Sequence, residues 1–142
     1  MIAHIDGGSR GNPGEAGFGV YIQSEEGHEV ASLYGYLGIQ TNNVAEYAGL
    51  LAALKYAVEH GVSRLAIRSD SELLVRQING QYRVRNTRLQ QLHTSALSLM
   101  RRVGGVTVGH VRREQNKDAD RLANLAMDTK HEQPQGVATG LL

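Results

Sequence analysis

Apolar positions change their spacing several times along this chain. Phe18, Val20 and Ile22 alternate with Gly19, Tyr21 and Gln23, the two-residue period of a half-buried strand. An apolar strand from Ile2 to Asp6 precedes them, across a glycine-rich turn read over Gly7 to Gly17. A third strand, Val30 to Leu37, follows the turn SEEGH. These three predict an antiparallel meander. From Val44 to His60 the pattern is long, rich in Ala and Leu and apolar nearly all round. It predicts a buried helix, closed by Gly61. Arg64 to Arg68 reads as a short strand, Ser71 to Ile78 as a short helix, and Thr87 to Val103 as a helix stopped by Gly104 and Gly105. Val106 to Val111 supplies the last strand and Lys117 to Thr129 the last helix. This order predicts an α/β fold, a mixed sheet with helices on its faces.

A chain of 142 residues, 41% of them hydrophobic, is long enough for one packed core. Residues 1–130 contain no internal repeat and no linker. Residues 131–142, HEQPQGVATGLL, lose the periodicity, gain Pro and Gly, and read as a flexible tail. The absence of cysteine excludes disulfides and thiolate metal sites and fits a reducing, cytoplasmic setting. The start, MIAHIDGG, lacks the basic and apolar regions of a signal peptide. No segment approaches the length of a membrane span, so no membrane association is expected. The net charge of +1 does not announce a polyanionic partner, so steering must come from local patches. Arg76, Arg83, Arg85 and Arg88 form one and Arg112 and Arg113 another, although either cluster alone could be a solvated surface.

Four acids change this picture: Asp6 in IAHIDGGSRGNPG, Glu46 in TNNVAEYAGLLAAL, Asp70 in LAIRSDSELL and Asp120 in REQNKDADRLANLA. Each has a local explanation. Asp6 can start a turn. Asn43 to Glu46 has the spacing of a capping box. Asp70 can cap a helix. Asp120 and its neighbour Asp118 both suit the first turn of a helix capped by Asn116. Yet the neighbours of Glu46 at i+3, i+4 and i+7 are Gly49, Leu50 and Ala53, which turns it inward. In the proposed sheet the ends of the first and fourth strands and the starts of two helices can meet at one edge. Buried carboxylates are costly unless paired or bound to cations, so convergence there points to divalent metal and phosphoryl chemistry.

The runs IDGGSRGNPG, TNNVAEYAGLLAAL, SDSELLVRQING and HVRREQNKDADRLAN, in this order, resemble the type 1 ribonuclease H family over roughly residues 1–128. The resemblance implies a ribonuclease-H-like sheet of five strands, three antiparallel and then two parallel, with helices on both faces. It implies hydrolysis of the RNA strand of RNA/DNA hybrids, with 5′-phosphate and 3′-hydroxyl products. It also implies two bound Mg²⁺ ions, for which Mn²⁺ can substitute, held by Asp6, Glu46, Asp70 and Asp120. The pattern Ala-Asp-x-Leu-Ala selects Asp120 over Asp118. In this scheme Asp6 bridges both ions, and Glu46 also orders the 2′-hydroxyl beside the cut. Asn12, Asn42 and Asn43 resemble residues that contact the hybrid in its minor groove, since an amide both donates and accepts as a 2′-hydroxyl does. Thr41 resembles a position near the DNA-strand phosphates, and Ser71 joins the expected substrate contacts.

The chain departs from the longer family pattern in three places. The loop Arg112 to Lys117 lacks the histidine that many relatives carry. It resembles the subgroup in which arginine replaces it, with Arg113 the candidate and His110 left within the strand. A basic protrusion is missing between the two central helices, where only Asn79 to Asn86 remain, and Tyr82, Arg83 and Arg85 are its expected partial substitute. Glu72 stands where relatives carry a Gln able to donate to a base edge. The expected protein is a monomer with no obligate protein partner. The competing readings are a hybrid-binding module that does not cut and a transposase-type nuclease. The complete acidic quartet argues against the first, and the lack of a DNA-targeting domain against the second.

Overall fold

The computed structural model of the protein describes residues 1–131, and the rest of the expected tail lies outside the described residues. The elements run β1 (Ile2–Arg10), β2 (Gly14–Gln23), β3 (Glu29–Gln40), α1 (Asn42–Glu59), β4 (Arg64–Ser69), α2 (Glu72–Ile78), α3 (Thr87–Val103), β5 (Gly105–His110) and α4 (Lys117–Thr129). The strands form one sheet in the order β3-β2-β1-β4-β5. Pairing is antiparallel from β3 through β2 to β1, and parallel from β1 through β4 to β5. The mixed sheet expected from the sequence is therefore present, with β1 at its centre.

An apolar helix is stable in water only when covered on more than one side. Helix α1 meets this condition: it packs on β1 and β2, and α3 lies over its outer side with Leu89, Leu92, Ala96 and Val103 buried. Val44, Tyr47, Leu50, Leu51 and Leu54 of α1 join Ile5, Phe18, Val20 and Ile67 of the sheet in one core. Helix α4 covers the other face, over β2. Two glycines show how closely both helices approach. A Cβ on Gly7 would overlap the backbone of Ala45 and Glu46 in α1, and one on Gly19 would overlap Ala119 and Ala123 in α4.

These glycines correct the expected turn. Gly7 to Gly17 is not a loop: β1 continues to Arg10, β2 begins at Gly14, and only residues 11–13 turn the chain, with Gly11 at φ +93. Glycine serves the strands here because it lets a helix backbone approach, a use that resembles a turn signal in sequence. Other boundaries also move. β3 extends to Gln40, and β5 ends at His110, one residue before the expected Val111. Helix α1 starts two residues early, capped by Thr41 Oγ1, which accepts from Val44 N at 3.2 Å. Asn43 therefore lies inside the first turn, and the capping box to Glu46 does not form. Ser71, not Asp70, caps α2 by accepting from Leu74 N at 3.2 Å. An unanticipated 3-10 turn, Arg113–Gln115, precedes α4.

Gly7→Ala should cost about 3 kcal/mol or more, because a rigid helix backbone must move. Gly8→Ala, whose Cβ would meet nothing nearer than Asn42 Oδ1 at 3.9 Å, should change stability by less than about 1 kcal/mol. Urea unfolding of both variants measures the contrast, and equal losses would remove close helix approach as the reason for Gly7.

Candidate active site

Sheet register brings the first two acids together. Ile5 and Ser69 are the last paired residues of parallel β1 and β4, so Asp6 and Asp70 follow side by side. Beyond this point β1 continues beside β2 alone while β4 turns into α2, and such a switch point opens a crevice at strand carboxyl ends. The antiparallel register puts Asp6 opposite Gly19. Register partners share a face, so Asp6 points to the side on which α4 sits down over Gly19. Asp120, the residue after Ala119, thereby arrives beside Asp6. On the other face the contact at Gly7 brings the backbone of Glu46 to the residue that follows Asp6. Glu46 is also tied to the site electrostatically: the Ser71 side chain favours its charged form and Asp70 disfavours it.

A cavity of about 530 Å³ opens here, lined by Asp6, Asp70, Asp120 and Arg113 at one end and by Ser9, Arg10, Asn42 and Asn124 at the other. Glu46 lies outside this lining. Partial burial and crowding strain the acids electrostatically. Burial pushes Asp6 up to about 8, helped by the charge of Asp70 and by a hydrogen bond to Asp120 that only a protonated Asp6 can donate. The Gly7 amide, donating to Asp6 Oδ1 at 2.9 Å, opposes this. Burial likewise lifts Glu46 to about 7, against the Ser71 hydrogen bond and with repulsion from Asp70. Asp70 is raised by burial and by Asp120, while the Arg113 guanidinium and, more weakly, His110 pull it back.

Among the described residues no three acidic or histidine side chains stand placed to hold a metal ion together, although Asp6 is influenced by both Asp120 and Asp70. The two observations agree if the cluster is open and relieves its repulsion with protons. Mg²⁺ keeps several waters and substrate oxygens while taking few carboxylates, so an open, all-oxygen donor set fits it.

The remaining expected residues divide into two groups. Asn42 lines the far end of the cleft, and Asn12 is bonded to it from outside the lining. Asn42 Oδ1 accepts from Ser9 N at 2.8 Å and Ser9 Oγ at 3.0 Å, and Asn42 N donates to Asn12 Oδ1 at 3.1 Å. Thr41 and Asn43 flank them at the start of α1. Tyr82, Arg83 and Arg85 are exposed on the α2–α3 connection, outside the main cavity. Glu72 Oε1 accepts from Arg76 Nε at 2.8 Å, and that guanidinium sits 5.3 Å over the Tyr82 ring. His110 ends β5 next to Ser69 and lines a separate cavity of about 280 Å³. Sequence reasoning missed Arg10, which bonds Asp128 at 2.7 Å and Asn124 at 3.2 Å. Asn116 occupies the capping position of α4 expected of it, but its side chain is buried and makes no capping bond, a use the sequence did not reveal. Neither use leaves a signal in local spacing.

A family profile described as Reverse transcriptase-like matches residues 4–126. The crystal structure of RNase H1 from the archaeon Halobacterium salinarum superposes with a TM-score of 0.87 at 38% identity, covering 90% of this chain and 97% of that one. The chain belongs to the ribonuclease H family. LC11-RNase H1, solved in complex with an RNA/DNA hybrid, gives a TM-score of 0.86 at 40% identity, covering 91% of this chain and 97% of that one. Bifunctional protein Rv2228c of Mycobacterium tuberculosis is 41% identical over 129 residues, which cover 90% of this chain and 35% of that protein. The chain thus spans about a third of the length of this curated relative.

The raised acids of this ribonuclease H domain set the sign of its pH dependence. Asp6 and Glu46 bind protons more tightly folded, at about 8 and 7, than at their ordinary 3.8 and 4.5. Their contribution to stability is present below the ordinary values and lost as pH rises through the folded ones. Without divalent ions, Asp6→Asn should therefore melt above wild type at pH 8.5 and near it at pH 4. Mg²⁺ should narrow the difference at pH 8.5 by raising only the wild-type Tm. A pH-independent difference between the two melting curves would contradict this account.

Proposed function

We propose that the chain is an endonuclease that hydrolyses the RNA strand of RNA/DNA hybrids and leaves 5′-phosphate and 3′-hydroxyl ends. It acts as a divalent-metal-dependent monomer in the cytoplasm. The observation that carries this reading is one open cleft with repelling carboxylates at one end and amide groups at the other. The LC11 complex with hybrid, at 40% identity, supports the same substrate.

Asp6, Glu46, Asp70 and Asp120 would hold two Mg²⁺, with Mn²⁺ an alternative. Bound there, the ions supply Lewis-acid charge that activates water and stabilises the leaving 3′-oxygen. The chain's own residues do the rest. Ser71 favours the charged form of Glu46, and the Gly7 amide fixes the Asp6 carboxyl. The Oδ1 atoms of Asn42 and Asn12 are engaged within the protein, which leaves their NH2 groups to donate to ribose hydroxyls and groove edges. Recognition through these groups gives little base-sequence preference. Arg113 keeps its charge at any working pH. Beside Asp70 it can draw the product phosphate away from the acids. Asn43 joins Asn42 and Asn12 at the groove, Thr41 lies toward the DNA-strand phosphates, and Tyr82, Arg83 and Arg85 make weak, salt-sensitive contacts with the nucleic-acid backbone.

Cleavage assays on hybrid, duplex RNA and duplex DNA, each with and without Mg²⁺, test the proposal. Hybrid alone should be cut, and only with the ion. Asp6→Asn and Asp70→Asn should each lose more than about a hundredfold in rate while remaining folded, since loss of even a ligand's outer partner costs about 10–100-fold. Near-wild-type cleavage by Asp6→Asn would sink the metal-dependent reading.

Arg113→Ala should lower kcat with little change in KM, and Arg113→Lys should recover part of the loss. His110→Ala should leave kcat within about twofold, because Arg113 and not His110 lines the acidic cavity. Steady-state kinetics, with folding checked by circular dichroism, decides between them. Loss of kcat in His110→Ala alone would transfer the role to His110.

A further inference from the structure

Close packing on Gly19 sets how near α4 lies to the sheet, but apolar contact does not fix how far the helix slides or rotates over it. Directional bonds are needed for that. One buried side chain supplies them. Asn116, 1% exposed, stands in the capping position of α4 yet makes no capping bond. Its amide crosses to β1, where Nδ2 donates to the Ile5 carbonyl at 2.9 Å and Oδ1 lies 3.2 Å from His4 Nδ1. The Ile5 carbonyl only accepts, so the amide can have just this orientation, and Oδ1 then requires the hydrogen on His4 Nδ1. The two anchor points immediately precede Asp6. The backbone of Asn116 holds the other side of the site: its carbonyl accepts from Asp120 N at 3.1 Å, and its N–H donates to Arg113 O at 3.0 Å.

We propose that Asn116, supported by His4, is a positioning residue that sets the gap between Asp6 and Asp120 and the approach of Arg113. The inference rests on the hydrolytic reading of the acid cluster, and it adds two residues that act through Asp6, Asp120 and Arg113. Placement errors of about 1 Å in such a constellation cost about a hundredfold in rate. A buried amide bonded on both sides is costly to disturb because each lost partner leaves a desolvated polar group. Its replacement therefore loosens the helix start, which carries Asp120, while the α1–α3 core stays intact.

Two measurements on the full chain test this: steady-state cleavage of hybrid, and the Mn²⁺ concentration that half-saturates the rise in Tm without substrate. Asn116→Ala should lower kcat about 10–100-fold, hold KM for hybrid within about twofold, and raise the Mn²⁺ midpoint about tenfold or more. Leu92→Ala, in the core between α1 and α3, should lower Tm comparably and change neither kcat nor the midpoint while folded. His4→Phe should show part of the Asn116→Ala effect, and His4→Gln, which keeps a donor, should recover much of it; this pair serves if Asn116→Ala does not fold. Unchanged kcat and midpoint in folded Asn116→Ala, an equal effect from Leu92→Ala, or no difference between the two His4 variants would overturn the proposal. If wild type fails to cut hybrid, the functional reading falls, while the Mn²⁺ midpoints still decide the positioning role.

Discussion

Two helix backbones press against a single strand pair from opposite sides, and everything in this site depends on that approach. Side chains at Gly7 and Gly19 would hold α1 and α4 away from the sheet. With only hydrogen at these positions, the helix segments carrying Glu46 and Asp120 come to rest on either side of Asp6. Asp70 needs no such device, because the parallel register with β4 delivers it. The acidic cluster is a product of steric permission at two positions and hydrogen-bonded register at the rest.

Crowding has an electrostatic consequence. Three of the four carboxyls hold protons more tightly than carboxyls in water, each with burial as the largest cause. The opposing groups are few and specific: the Gly7 amide on Asp6, the Ser71 hydroxyl on Glu46, and Arg113 on Asp70. The fold thus keeps the acids under-compensated, which favours whatever positive charge the cleft admits. Packing alone would not select such a cluster, since apolar residues of similar volume cost less to bury.

The periphery adapts to what this chain lacks. The connection between α2 and α3 is short, and its aromatic residue is held by a relay in which Glu72 pairs with Arg76 and Arg76 covers Tyr82. Glu72, which cannot donate to a base edge, is engaged here as the acceptor for Arg76. At the other end of the cleft, Arg10 and Lys130 join the β1–β2 hairpin to the end of α4 through Asp128 and Glu15. Such exposed pairs add little stability individually, but they bracket the cavity wall that contains Asn124 and Met127.

The order and type of the elements were legible in the sequence because they follow from local periodicity. Alternation in Phe18 to Ile22, the apolar helix after Thr41, and the glycine stops at Gly61 and Gly104 each act over a few residues. The four acids stood out in the sequence through their motifs, and the fold brings three of them to line one cleft. What spacing could not express was contact. Gly7 reads as turn material until α1 is laid on it, and Asn116 reads as a cap until β1 is beside it. Thr41 and Ser71 took the capping duties that the sequence offered to Asn43 and Asp70, which left Asp70 free to line the cleft and Glu46 free beside it. Local chemistry determined which residues could form strands, helices and a charged site. Only the tertiary structure decided which glycines admit a helix and which polar side chains cross between elements, because close approach and long-range hydrogen bonds depend on partners far away in the sequence, such as Gly7 with Ala45 and Ile5 with Asn116.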